Sequence, residues 1–101
     1  MAWDSKGTLT ADGQTTAWHH TGGDGTVCMR DNFGGGTGTL QVSVDDGANW
    51  DSIGSDGELT AAGFVGFSLP PCQLRVDLNG ATTSPNLRVY YGGDFERTRA
   101  A

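Results

Sequence analysis

Asp45, Asp46 and Asp51 fall within one short stretch, Ser43-Val44-Asp45-Asp46-Gly47-Ala48-Asn49-Trp50-Asp51. Carboxylate oxygens at this density are what a calcium ion takes as ligands. The spacing does not follow the D-x-D-x-D-G loop with its distal glutamate, however. The chemistry expected here is therefore a hydrogen-bonded turn. An aspartate accepts backbone N–H groups, Gly47 takes a positive φ, and Trp50 folds back over the apolar face.

Other reactive residue types are sparse. His19 and His20 are adjacent, and neighbours on a strand face opposite ways, so one surface ring and one packed ring are expected. Cys28 and Cys72 lack a CxxC partner or a nearby histidine pair, so no zinc site is expected. Both read as free, buried thiols, with Cys28 in the core. Glu58, Glu96 and the many aspartates offer carboxylate pairs, but so many that none stands out. No G-x-S-x-G elbow is present, and Asp31-Asn32-Phe33-Gly34-Gly35-Gly36 lacks the lysine of a phosphate loop. No enzyme activity, metal or cofactor is expected. Trp3, Trp18, Phe33 and Phe95 fall outside any clean alternation. Trp3, Trp18 and Phe95 are the candidate protein-interface residues, because exposed aromatics anchor interfaces. Core filling is the competing reading for Trp18.

The elements that must carry these residues are strands. No stretch free of glycine and proline exceeds eight residues, which leaves no room for an ordinary helix. Leu40, Val42 and Val44 alternate with Gln41, Ser43 and Asp45, so the three apolar side chains are expected inward. Cys72, Leu74, Val76 and Leu78 repeat the pattern, and Leu87, Val89 and Tyr91 close it. Shorter strands are expected at Thr8–Thr10, Thr15–His20, Thr26–Arg30, Trp50–Ile53, Glu58–Ala61 and Phe64–Leu69. About eight short strands in one domain predict an all-β, antiparallel β-sandwich or jelly roll. The expected layout is an arm over residues 1–7, the sandwich over 8–92 and a tail over 93–101. The order of strands within the sheets is not readable.

The formal net charge of −6, with a single lysine and scattered arginines, is unsuited to nucleic acid. No apolar run is long enough to span a bilayer. Met1-Ala2-Trp3-Asp4-Ser5-Lys6 lacks the basic-then-apolar layout of a signal peptide, so folding in a reducing cytoplasm is expected.

Two resemblances add to this reading. Ser43 to Trp50 resembles the Asp-box, S-x-D-x-G-x-T-W, of sialidase-type propellers, with Asn49 in the threonine position. One box in 101 residues implies a turn and no propeller. Separately, residues 33 to 91 resemble small structural proteins of tailed bacteriophages. The likeness runs through Phe33-Gly34-Gly35-Gly36, Gly38-Thr39-Leu40-Gln41-Val42-Ser43, Asp46-Gly47-Ala48-Asn49-Trp50, Leu69-Pro70-Pro71, Arg75 and Gly80-Ala81-Thr82. It implies a non-enzymatic capsid decoration (cement) protein that binds the outer head shell through the major capsid protein or another virion protein, often as a trimer. The implied location is the virion, assembled in the host cytoplasm. It transfers no functional residues. A neck, tail or fibre-associated virion domain is the first alternative. A carbohydrate-binding module reading a glycan through Trp18 or Trp50 is the second.

Overall fold

The computed structural model describes residues 3–92, apart from the Asp56 side chain, and is all-β, with a single 3₁₀ turn at Ser55–Gly57. Ten strands follow in order: β1 (Trp3–Leu9), β2 (Gly13–Gln14), β3 (Trp18–His20), β4 (Gly23–Asn32), β5 (Thr37–Ser43), β6 (Asp51–Ser52), β7 (Glu58–Leu59), β8 (Gly63–Leu69), β9 (Cys72–Asn79) and β10 (Asn86–Gly92). They form two antiparallel sheets. The first has the order β1-β10-β4-β8. In the second, β2 and β3 lie along one side of β9, β5 lies along the other, and β6 and β7 share the far side of β5.

β2 with β3, and β6 with β7, are thus interrupted single rows, and each sheet has four rows. The pairing is nested. The first row pairs with the last, the second with the last but one, and so inward to β5 and its hairpin partner. Two further ladders, β10·β4 and β9·β5, roll this long hairpin into two layers. That connectivity is a jelly roll.

The strand alternation decides what lies between the layers. Cys72, Leu74, Val76 and Leu78 of β9 are buried, as are Leu40 and Val42 of β5 and Leu87, Val89 and Tyr91 of β10. Val27 and Met29 of β4, Val65 of β8, Trp18 and Phe33 complete the core. Burying a side chain of this size contributes roughly 1.5–3 kcal/mol. The sheets are also joined by a polar contact. His20 of β3 lies between the layers, with its Nδ1 2.6 Å from the Tyr91 hydroxyl and its Nε2 3.0 Å from the Gly23 carbonyl oxygen. The carbonyl can only accept, so Nε2 carries a proton. The ring also meets Phe67 edge-on at 5.1 Å.

Three expectations are corrected. Val44 is 84% exposed, because β5 ends at Ser43 and the chain turns there. Cys28 is only partly buried and points outward on β4 between the inward Val27 and Met29, so it is not a core residue. The first strand begins at Trp3, inside the stretch expected to be an arm. Its ladder to β10 carries a bulge between Ser5 and Gly7. The tail over 93–101, with Phe95, lies outside the described residues.

The loop after β4 uses its glycines for close approach. A side chain on Gly36 would stand 2.7 Å from the Asn79 carbonyl oxygen, and one on Gly34 2.7 Å from that of Thr83. The two loops are stitched by Thr82 and Thr83 N–H groups donating to the Gly34 carbonyl.

Candidate functional site

The acidic stretch forms the expected hydrogen-bonded turn, but Trp50 does not fold over the apolar face: it lies against Arg75 on the outer side of β9. Asp45 accepts the Asn49 backbone N–H at 2.9 Å, the Asn49 side-chain amide at 2.8 Å and the Ser43 hydroxyl at 2.8 Å. The Gly47 N–H donates to Ser43 Oγ at 2.7 Å. Gly47 has φ +90° and Asp46 φ +60°. The Asn49 side chain holds the Asp45 carboxyl below its ordinary pKa, with help from the Asn49 N–H and Ser43. Asn49, the departure from the box pattern, adds a second bond to the same aspartate. Its carboxylate is thus engaged as a turn cap. Among the described residues no three His, Cys, Asp or Glu side chains converge as metal ligands do.

Trp18 corrects the interface assignment. It is 7% exposed, and its ring packs 5.5 Å from Tyr91, so it offers no face to another molecule. Lys6 closes the rim of the sandwich over both rings, at 5.7 Å from each. Trp50 lies beneath the Arg75 guanidinium at 4.4 Å, and that guanidinium donates to Gln41 at 2.7 Å. Both rings named for the glycan alternative are therefore engaged within the molecule. His19 is exposed and His20 buried, so the histidines do part to opposite sides.

Trp3 behaves differently. It is 38% exposed and meets Phe64, itself 65% exposed, at 6.0 Å between ring centroids. The two residues belong to β1 and β8, the opposite edges of the first sheet. Three strand spacings separate these edges, or about 14 Å. The indole closes that gap by lying across the sheet. Its register row is Trp3, Gly92, Thr26 and Gly66, in which the two glycines present no side chain. The adjoining row is Ser5, Tyr90, Cys28 and Phe64. Trp3, Phe64, Tyr90, Cys28 and Arg30 line a shallow open depression of about 340 Å³.

A polar border flanks this apolar floor. Arg88 Nε lies 3.0 Å from Asp31, and Arg30 Nε lies 3.6 Å from the same carboxylate. Asp31 sits at φ +80°, a region open to aspartate more than to most residues. Burial pushes the Cys28 thiol up, partly opposed by Arg30, so its reactive thiolate is disfavoured. Cys72 is buried and also raised, and both thiols are free.

Phe64, Tyr90 and Arg30 were not singled out from the sequence, and Cys28 was assigned to the core instead of this face. A signal existed for Phe64, since Phe64, Gly66 and Ser68 alternate with the inward Val65, Phe67 and Leu69. No family model, curated protein or solved structure matches the chain.

Proposed function

We propose that this chain is a non-enzymatic structural protein of a tailed bacteriophage, a capsid decoration (cement) protein that binds and stabilises the outer head shell. Jelly rolls serve in viral capsids and in lectins, so the fold alone does not choose between uses. The resemblance over residues 33 to 91 supplies the phage reading. The observation that carries the binding role is the Trp3–Phe64 pair, lying over a glycine floor beside the Arg30–Asp31–Arg88 border. Apolar centres with a polar rim are how docking surfaces are built. The partner is the major capsid protein or another virion protein, and the location is the virion.

Repeated weak docking over a symmetric shell gives avidity without one large interface. Quantitative mass spectrometry of purified particles tests the reading. A copy number comparable to that of the shell subunit supports it. A handful of copies moves the chain to the neck, tail or a fibre. Absence from the particle rejects a virion role.

A further inference from the structure

A β-sandwich leaves four sheet edges, and three of these are defended. In the second sheet both edges are broken into pieces of two or three residues. In the first sheet, β1 carries Asp4, Lys6 and the bulge at Ser5/Gly7. Short pieces, charges and bulges are the devices that stop an edge from pairing with another chain. β8 has none of them. Gly63-Phe64-Val65-Gly66-Phe67-Ser68-Leu69 is seven residues long, continuous, uncharged and free of proline. Among the described residues it pairs only with β4.

We propose that β8 pairs with β8 of a second copy of this chain, antiparallel about a two-fold axis at Gly66. The strand is self-complementary about that residue. Gly66 opposes Gly66, Val65 opposes Phe67, Phe64 opposes Ser68 and Gly63 opposes Leu69. Side chains keep their faces in this register: Val65 and Phe67 stay on the core side, Phe64 and Ser68 on the outer side. Gly66 leaves space at the axis beside the exposed Phe64 rings.

Charge restricts where a second copy can dock. Each copy carries a formal −6, so two copies repel wherever acidic surfaces meet. The β8 edge brings them together through a strand with no charge. Backbone hydrogen bonds provide the attraction, as in other strand-addition contacts. The contact closes at two copies, because the same patch is used on both. It also places the two Trp3–Phe64 surfaces on one side of a continuous sheet.

Gly66 gives a clean test. Its backbone is outside the left-handed region, and an added Cβ meets nothing within 4 Å. In the paired state two lysines there stand directly opposite. Sedimentation equilibrium is run on the unaltered chain, Gly66→Lys, Gly66→Asp and an equimolar mixture of the two variants, with circular dichroism confirming the fold of each. The expected result is a dimer for the unaltered chain, dissociation constants weaker by roughly tenfold or more for each variant alone, and recovery in the mixture. On the unaltered chain, amide exchange of residues 63–69 slows as concentration rises. A monomer at every concentration overturns the proposal, as does a trimer. Dimers indifferent to Gly66→Lys, a mixture that stays monomeric, or exchange in β8 independent of concentration do the same. These readouts concern self-association alone, so their failure is distinct from absence of the chain from phage particles.

Discussion

The outer faces of the two sheets start from one alternating pattern and end as different surfaces. On the second sheet the outward side chains satisfy one another. Gln14 donates to Asp77 at 2.6 Å, Arg75 donates to Gln41 at 2.7 Å, and Arg75 covers Trp50. On the first sheet two adjoining outward rows bring together Trp3, Tyr90 and Phe64, and Trp3 and Phe64 cover only each other in part. Hydrogen-bonded polar pairs face water at little cost, whereas contiguous apolar surface favours a partner. The difference is one of exposed apolar area: polar pairs cap one face, and two aromatic rings stay partly bare on the other.

The comparison supposes that both faces rest on a shared core. Leu40→Ala, at a fully buried position beneath the polar face, is expected to destabilise the whole domain by about 2–5 kcal/mol. Urea unfolding followed by both tryptophan fluorescence and circular dichroism should show one coincident transition. Two separate transitions would mean that the sheets fold independently.

Tyr91→Phe probes the polar link between the sheets. It leaves His20 Nδ1 buried without the Tyr91 hydroxyl and is expected to cost about 1–3 kcal/mol in chemical denaturation.

The contrast between faces sharpens with surface variants. On the proposed decoration role, Trp3→Ala combined with Phe64→Ala is expected to weaken shell binding by about 2 kcal/mol, roughly thirtyfold, with only a small change in unfolding midpoint. Gln41→Ala on the other face should leave binding unchanged. Equal losses from both faces in a particle-binding assay would erase the distinction.

The smallest effect concerns the acidic turn. The folded Asp45 pKa lies below its ordinary value of 3.8. The unfolded chain therefore binds the proton first as pH falls. The stabilisation is fully present above the ordinary value and is lost as pH drops through the folded one. Asp45→Asn should remove that part of the acid sensitivity, seen as a flatter dependence of melting temperature on pH below about 4. An unchanged profile would show that the turn does not sense Asp45 ionisation.

Much of the core was legible because it depends on local alternation. β9 runs over Cys72–Asn79 with the expected inward set, and β10 buries Leu87, Val89 and Tyr91 as expected. Alternation misled at Val44, where the hydrogen bonds of the Asp45 turn begin one residue earlier and draw Ser43 inward. It reached only the end of β1, at Thr8 and Leu9, because Asp4, Lys6 and a bulge hide the period before them. The aromatic face was legible only through Trp3 as a candidate residue, and its assembly was not. It needs Trp3 and Phe64 to meet across two intervening strands, and register between residues so distant in sequence is set by the whole roll. Trp18 was ambiguous for a related reason, since its burial depends on Tyr91 arriving from the other sheet.

The pairing of Trp3 with Gly92 brings the beginning and the end of the described sheet side by side. Opposed residues on neighbouring antiparallel strands lie only about 5 Å apart at their Cα atoms. A bridge of a few residues could therefore close the chain into a ring. Reopening it at the exposed Asp46-Gly47-Ala48 turn gives a circular permutant with every ladder intact. Such a permutant would carry fused cargo from the acidic turn, leaving the corner beside Trp3 unencumbered.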